Sequence, residues 1–273
     1  MRFRVFAFIF LITFKLSAHT VWVGKMGVKT IKEALLKASA FDTVYVPYGV
    51  YKEGNLVVNK PVCLLGVDKP VLDGQKKFEV LSIRSNDVKV NGFKVQHSGF
   101  GTLEDPGAIK LYNAHRVEVS DNELEDNFFG IYVQYGTKCV VKNNKITAYG
   151  TEEQQIGNGI HCWKSDSLQI IGNQISGHRD GIYFEFVTHS IIWRNISKKN
   201  IRYGLHFMFS NNDAYIGNVF KENGAGVAVM FTKGVTMINN VFEENWGDAS
   251  YGLLLKEISD SYVRSEEHTS ELQ

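Results

Sequence analysis

His206 and Met208 stand two residues apart in the stretch YGLHFMFS (203–210), and Met230 follows Met208 by 22 residues. Imidazole nitrogen and thioether sulfur are soft donors that suit copper, Cu(I) above all, which makes these three the candidate metal ligands. A soluble protein gains little from holding a histidine and a methionine side by side in water. Read as a strand, the stretch sends Leu205, Phe207 and Phe209 to one face and His206 and Met208 to the other. Whether that second face is covered or used depends on the element that carries it.

That element is a repeat. Glycine before an apolar residue recurs at Gly130, Gly159, Gly181, Gly204, Gly226 and Gly252, and asparagines recur at Asn122, Asn144, Asn173, Asn195, Asn218 and Asn240. From each of the first five glycines to the next asparagine the step is 14 residues, and Ala108 to Asn122 repeats it. The return step is 8 or 9, except where TEEQQIGN and ENWGDAS lengthen it. A unit of about 22 residues holding three short β-prone runs is too short for a helical repeat and fits a parallel β-helix, with coils about 4.8 Å apart. Asparagines in the same turn of successive coils then form a buried hydrogen-bonded ladder. Upstream, Ile31, Ala34, Leu35 and Ala38 fall at helical spacing after Thr30, with Glu33 at the capping-box position, so a short amphipathic helix plugs the solenoid's open end.

Alternation along the strand after each glycine assigns faces. The first and third positions are apolar in every coil and form the core stack, Cys162 included. Cys139 shares a slot with Val117, Leu168 and Val235 and is expected buried and inert. The second and fourth positions point outward. They place Trp163, Glu185, Met208, Met230 and Lys256 in one file, and His161, Tyr183 and His206 in the next. Aromatic and thioether surface of this extent marks an interaction site, so these eight residues are the candidate partner-binding face. Copper at His206, Met208 and Met230 is the sharper alternative. His161 lies two coils from His206, about 10 Å, too far to share one ion.

Other candidates are weaker, and no catalytic residue is assigned. Asp121 and Asp126 could serve as paired carboxylates for glycosidic cleavage, but Asp121 falls in a turn slot filled elsewhere by Asn143, Gly172, Arg194, Gly217 and Asn239. A carbohydrate-active enzyme also needs acidic and basic groups converging on an outward groove; the face offers Glu185 and Lys256, three coils apart. His178-Arg179-Asp180 reads as a surface turn. His97, His115 and His189 read as turn residues without clustered partners.

With 30 basic and 29 acidic residues the net charge is +1, which gives no argument for nucleic acid. Three cysteines without metal or redox spacing define no disulfide framework. Residues 1–18 have a basic start, an apolar run and a small-residue site at Ala18, the pattern of a secretory signal peptide. The β-helix domain is expected over 19–263. Residues 264–273, RSEEHTSELQ, break the repeat and read as the in-frame translation of a sequencing-adapter oligonucleotide. The natural chain is then expected to be longer, and the last coil here to be an unpaired edge.

The motifs GNGIHCWKSD, GHRDGIYFEFVTHS, RYGLHFMFSNN and the run from GAGVAVMF to KEISDS resemble the NosD family of nitrous oxide reductase maturation proteins. The resemblance runs from about Thr30 to Val263 and is dense from Gly157 onward. It implies an all-β, right-handed parallel β-helix, a pectin-lyase-like solenoid, without enzymatic turnover. It also implies a periplasmic protein that works with the ATPase and membrane subunits of an ABC transporter to assemble the copper–sulfur cluster of nitrous oxide reductase. A copper chaperone is a further candidate partner. The family is described as copper-binding, but the choice of His206, Met208 and Met230 rests on the faces alone.

Overall fold

The computed structural model describes residues 19–25, 27–101, 104–247, 251–265 and 267–269. The signal-peptide segment 1–18 lies outside them. Almost every strand pairs in parallel with the strand one coil away, building three sheets of 11, 9 and 10 strands. No helix among the described residues is long and apolar enough to cross a membrane.

The N-terminal plug is the helix Ile31–Lys37, with the expected reciprocal cap: the Thr30 hydroxyl accepts from the Glu33 N–H, and the Glu33 carboxylate accepts from the Thr30 N–H. The first coils complete what the helix leaves open. Glu53 accepts the N–H groups of Ile31 and Lys32 at 2.8 and 3.0 Å, while Lys60 Nζ donates to the carbonyls of Leu35, Leu36 and Ala38. Opposite charges thus sit at the two ends of the helix dipole. Ile31, Ala34, Leu35 and Ala38 are all buried on the solenoid mouth.

The glycine-led strands form the nine-stranded sheet, here called the face sheet. Its register follows the sequence ruler: Ile160 pairs with Ile182, then Leu205, Val227 and Leu253 in successive coils. Cys162, Phe184, Phe207 and Val229 stack behind them, fully buried. The recurring glycine has a steric cause at Gly181, where an added Cβ would lie 1.9 Å from Ser197 Oγ and 2.7 Å from the Gly204 carbonyl.

The asparagine ladder is continuous from Asn122 to Asn240. From Asn144 on, each Oδ1 accepts both the backbone N–H and the side-chain amide of the asparagine one coil before, as in Asn195 to Asn218 at 2.9 and 3.0 Å. Each Nδ2 also reaches a strand carbonyl, such as Ile170 for Asn195 at 2.8 Å. Among the described residues no ladder amide is left unpaired, so the ladder fixes the turn with its buried amides satisfied. A second, shorter ladder joins Asn200, Asn223 and Asn245; it escaped the sequence reading although its steps equal one coil. Within the tail, Glu267–Thr269 pairs with Val241–Glu243.

Candidate functional site

The two outward files stand on the face sheet as expected. Trp163, Glu185, Met208, Met230 and Lys256 are consecutive register partners, and so are His161, Tyr183 and His206. Their exposure differs. The outer file is half-buried down to Met230 and exposed at Lys256. In the inner file His161 is 8 % and His206 only 5 % exposed, so the expectation that these two imidazoles present surface to a partner is corrected.

The cover is local. Tyr132 stacks on His161 with ring centroids 4.4 Å apart, Tyr183 follows at 4.9 Å, and His206 at 4.7 Å from Tyr183. Turn residues close the flank. Asn158 meets His161 Nδ1 at 3.3 Å, and Arg202 lies beside His206 at 3.4 Å. The insertion TEEQQIGN folds back over them with a 3₁₀ turn at Glu153–Gln155, and Glu153 comes within 3.9 Å of Arg202.

At the centre is a charge cluster that the sequence had placed in a surface turn. Asp180 is the first residue of its strand and is wholly buried, as is His178. Arg202, one coil on, donates Nε to Asp180 Oδ1 at 3.0 Å and Nη2 to Oδ2 at 2.8 Å. His206 Nδ1 lies 3.6 Å from the same carboxylate. Burial alone would push the Asp180 carboxyl up; bonds from His206 and Arg202 overcome this and hold it below the ordinary value. With Nδ1 turned to Asp180, His206 Nε2 is buried and has no hydrogen-bond partner in the structure. The Asp180 carboxylate and the Arg202 guanidinium thus flank His206 Nδ1 together, at 3.6 and 3.4 Å. For His161, burial first and the Arg179 charge second lower the pKa to about 3, so this imidazole stays neutral.

The thioethers lie one strand position further out. Tyr183 OH donates to Met208 Sδ at 3.6 Å, and Met208 pairs in register with Met230. No cluster of three or more His, Cys, Asp or Glu able to hold a metal occurs among the described residues. By type, one imidazole and two thioethers are a donor set for a soft monovalent ion rather than a hard divalent one.

Beyond the outer file runs a column that the strand alternation missed. Phe209 was expected to point inward; it lies past the strand end with φ +51° and is 40 % exposed. Phe186 and Phe231 occupy the same left-handed position, at φ +54° each, and stack on Phe209 at 5.2 Å on either side. Lys256 Nζ caps the column 5.2 Å from the Phe231 ring. Bulky side chains seldom adopt this backbone region, and here they do so to build an exposed aromatic ladder.

Two further histidines are tied to carboxylates. His97 lies 3.2 Å from Asp73 and 3.8 Å from Asp126, and His189 lies 2.9 Å from Asp166, so both have the partners that the sequence reading denied them. Asp126 is held by Lys76 and His97, and Asp121 by Asn91 and Asn143. Both carboxylates are thus spoken for by structural partners.

Fold and face define a parallel β-helix protein bearing a thioether and aromatic surface on one sheet, over two buried imidazoles. Residues 147–271 match the family model described as "Periplasmic copper-binding protein (NosD)", a range containing all eight face residues. The "Probable ABC transporter binding protein NosD" of Stutzerimonas stutzeri is 30% identical over 139 residues, covering 50% of this chain and 31% of that protein. Its namesake in Pseudomonas aeruginosa is 28% identical over 130 residues, covering 47% of this chain and 30% of that protein. The aligned segments thus span about a third of the length of these relatives. Over its C-terminal half the chain is similar to NosD proteins. Among solved structures, the polygalacturonase of Erwinia carotovora superposes with a TM-score of 0.60 at 11% identity, over 93% of this chain and 95% of that one. An alginate lyase from Paenibacillus sp. gives 0.54 at 15% identity, over 91% and 99%. At such identities the likeness is one of fold.

Proposed function

We propose that this chain is a non-catalytic periplasmic accessory protein for maturation of the copper–sulfur cluster of nitrous oxide reductase. In this reading it works with the ATPase and membrane subunits of an ABC transporter, and its face sheet docks partners and receives copper as cargo. Support comes from the copper-binding description of the matched family and the transporter-binding names of the relatives. The observation that carries it is His206, whose Nδ1 faces Asp180 while its buried Nε2 has no hydrogen-bond partner, two residues from Met208 and one coil from Met230.

The division of labour follows from chemistry. Asp180 and Arg202 fix the His206 ring, and the thioethers of Met208 and Met230 supply soft, uncharged donors that bind Cu(I) and let it go to a stronger acceptor. Tyr183 holds the Met208 sulfur until it is needed. Trp163, Glu185, Lys256 and the phenylalanine column offer the partner a rigid aromatic surface with a charged rim.

Anaerobic Cu(I) titration tests this reading, comparing wild type with the Met208→Ala/Met230→Ala double variant and with His206→Ala. Each variant is expected to weaken binding by about tenfold or more, roughly the loss of one good contact. Equal affinity in all three proteins would remove these ligands. Cleavage of a polysaccharide by the wild type would replace the accessory role with an enzymatic one.

A further inference from the structure

Outside the segment matched to the family, the same sheet carries a second feature. A cavity of about 770 Å³ opens over the early coils, lined by Lys77, Glu79, Arg84, Phe100, Lys110 and Tyr112 among others. Its volume lies within the ~300–1,000 Å³ of ordinary small-molecule sites. Its floor is Tyr112, which stands in the outer file as the register partner of Gln134.

Most of the polar groups are already committed, which isolates the ones that are not. Tyr112 OH donates to Glu79 Oε2 at 2.8 Å, and Ser82 Oγ donates to Glu79 Oε1. Lys110, itself buried, spends its ammonium on the carbonyls of Glu104 and Asp105 at 3.0 and 3.4 Å and so holds that loop against the cavity. Arg84 lies flat on the Tyr112 ring, 4.0 Å from its centroid, and neither Arg84 nor Lys77 forms an ion pair among the described residues. Phe100 stands at the wall 63 % exposed, held edge-on by Phe128 at 4.8 Å.

The free groups are thus a pre-oriented guanidinium, a second cation, an aromatic face, the Glu104 carboxylate and the spare lone pairs of Glu79. A guanidinium fork matches a carboxylate. An open ring beside polar groups suits the C–H face of a sugar, and a planar carboxylate accepts from sugar hydroxyls. A phosphate dianion is disfavoured by Glu79. An extended peptide is disfavoured because the strand Gly107–Tyr112 is paired on both sides and has no free edge. We infer that this cavity is a binding site for an acidic saccharide, with the uronate carboxylate on Arg84 and Lys77, the pyranose face on Phe100 and a ring hydroxyl on Glu79. Its role is recognition: Tyr112 donates its proton to Glu79, and burial followed by that bond raises its pKa, so it is no base for proton abstraction.

The test is calorimetric titration of the full chain with trigalacturonate, fully methyl-esterified trigalacturonate and citrate. Trigalacturonate is expected to bind with a dissociation constant on the order of 0.1–1 mM, with the ester and citrate weaker by about tenfold or more. Arg84→Gln is expected to lose about tenfold and Phe100→Ala about fivefold; both side chains are exposed, so unchanged melting curves confirm that the variants fold. Absence of trigalacturonate binding at about 10 mM, equal binding of citrate, or indifference to both substitutions would each overturn the assignment.

Discussion

Arg202 grips both carboxylate oxygens of Asp180 from the neighbouring coil, at 3.0 and 2.8 Å, although Asp180 is completely buried. The pair fastens two coils at the point where the sheet carries His206, so its strength bears on both fold and site. Removing one partner strands a buried charge, which costs about 3–5 kcal/mol in a dry interior. Arg202 is about one-third open to solvent, which brings the expectation for Arg202→Met down to about 2–4 kcal/mol. Asp180→Asn/Arg202→Met should recover most of that loss, because it leaves no charge unpaired. Urea midpoints of wild type and the two variants check the prediction, and a double variant as unstable as the single one would refute it.

His178 gives the pH dependence a sign. It is wholly buried; burial lowers its pKa to about 4, against a raising bond to the Gly157 carbonyl at 3.3 Å. The folded value lies below the unfolded one, so the unfolded chain takes up the proton first. Stability from this group is complete above about pH 6.5 and falls as the pH drops toward 4, by at most about 1.4 kcal/mol per unit. His178→Asn places an amide one coil before Asn200, whose Oδ1 already accepts the residue 178 N–H at 3.1 Å. That variant should extend the second ladder and reduce the loss of stability between pH 6.5 and 4, leaving the share of the likewise depressed His161, measured by urea unfolding across that range. An unchanged slope would mean that His178 does not drive it.

The ladder, the core stack and the register of the two files were legible because each repeats every coil, and a repeated pattern needs no knowledge of three-dimensional cover. What escaped does not repeat. Alternation gives the direction in which His161 and His206 point, but their burial comes from Arg179, Arg202 and one insertion. Asp180 looked like a turn residue because polar neighbours surround it in the chain; its partner sits 22 residues away in the next coil. Phe209 looked like a continuation of its strand, whereas the strand ends at Met208 and the backbone turns left-handed.

Asp213 occupies the slot that holds Cys139 and Leu168 in earlier coils and points its carboxyl into the solenoid. Oδ1 accepts the Ser190 N–H at 2.8 Å, and Oδ2 is buried with no hydrogen-bond partner. Burial, aided by the Asp166 charge and opposed by the Ser190 bond, pushes its pKa up to about 8. Here the folded value lies above the unfolded one, so stability falls as pH rises from about 4 to about 8. Asp213→Asn keeps the Ser190 bond and removes the ionisation. It should gain about 1–3 kcal/mol at pH 7.5 and almost nothing at pH 4, read from paired denaturant titrations. A gain of equal size at both pH values would assign the effect to packing instead.

The phenylalanine column separates stability from docking. Phe209 holds a left-handed backbone, which costs a bulky residue about 1–2 kcal/mol, and regains part of this through its stacks on Phe186 and Phe231, each worth about 0.5–1.5 kcal/mol. Asparagine tolerates that backbone but cannot stack. The two terms nearly cancel, so Phe209→Asn should move the unfolding free energy by less than about 1 kcal/mol. If the column is the centre of a docking surface, loss of its middle ring should nonetheless weaken capture of the copper-free reductase by about tenfold, the scale of a buried aromatic hot spot. Biolayer interferometry with immobilised wild type and variant measures this. Equal capture by a correctly folded Phe209→Asn protein would move the docking site off the column and back to Trp163, Glu185 and Lys256.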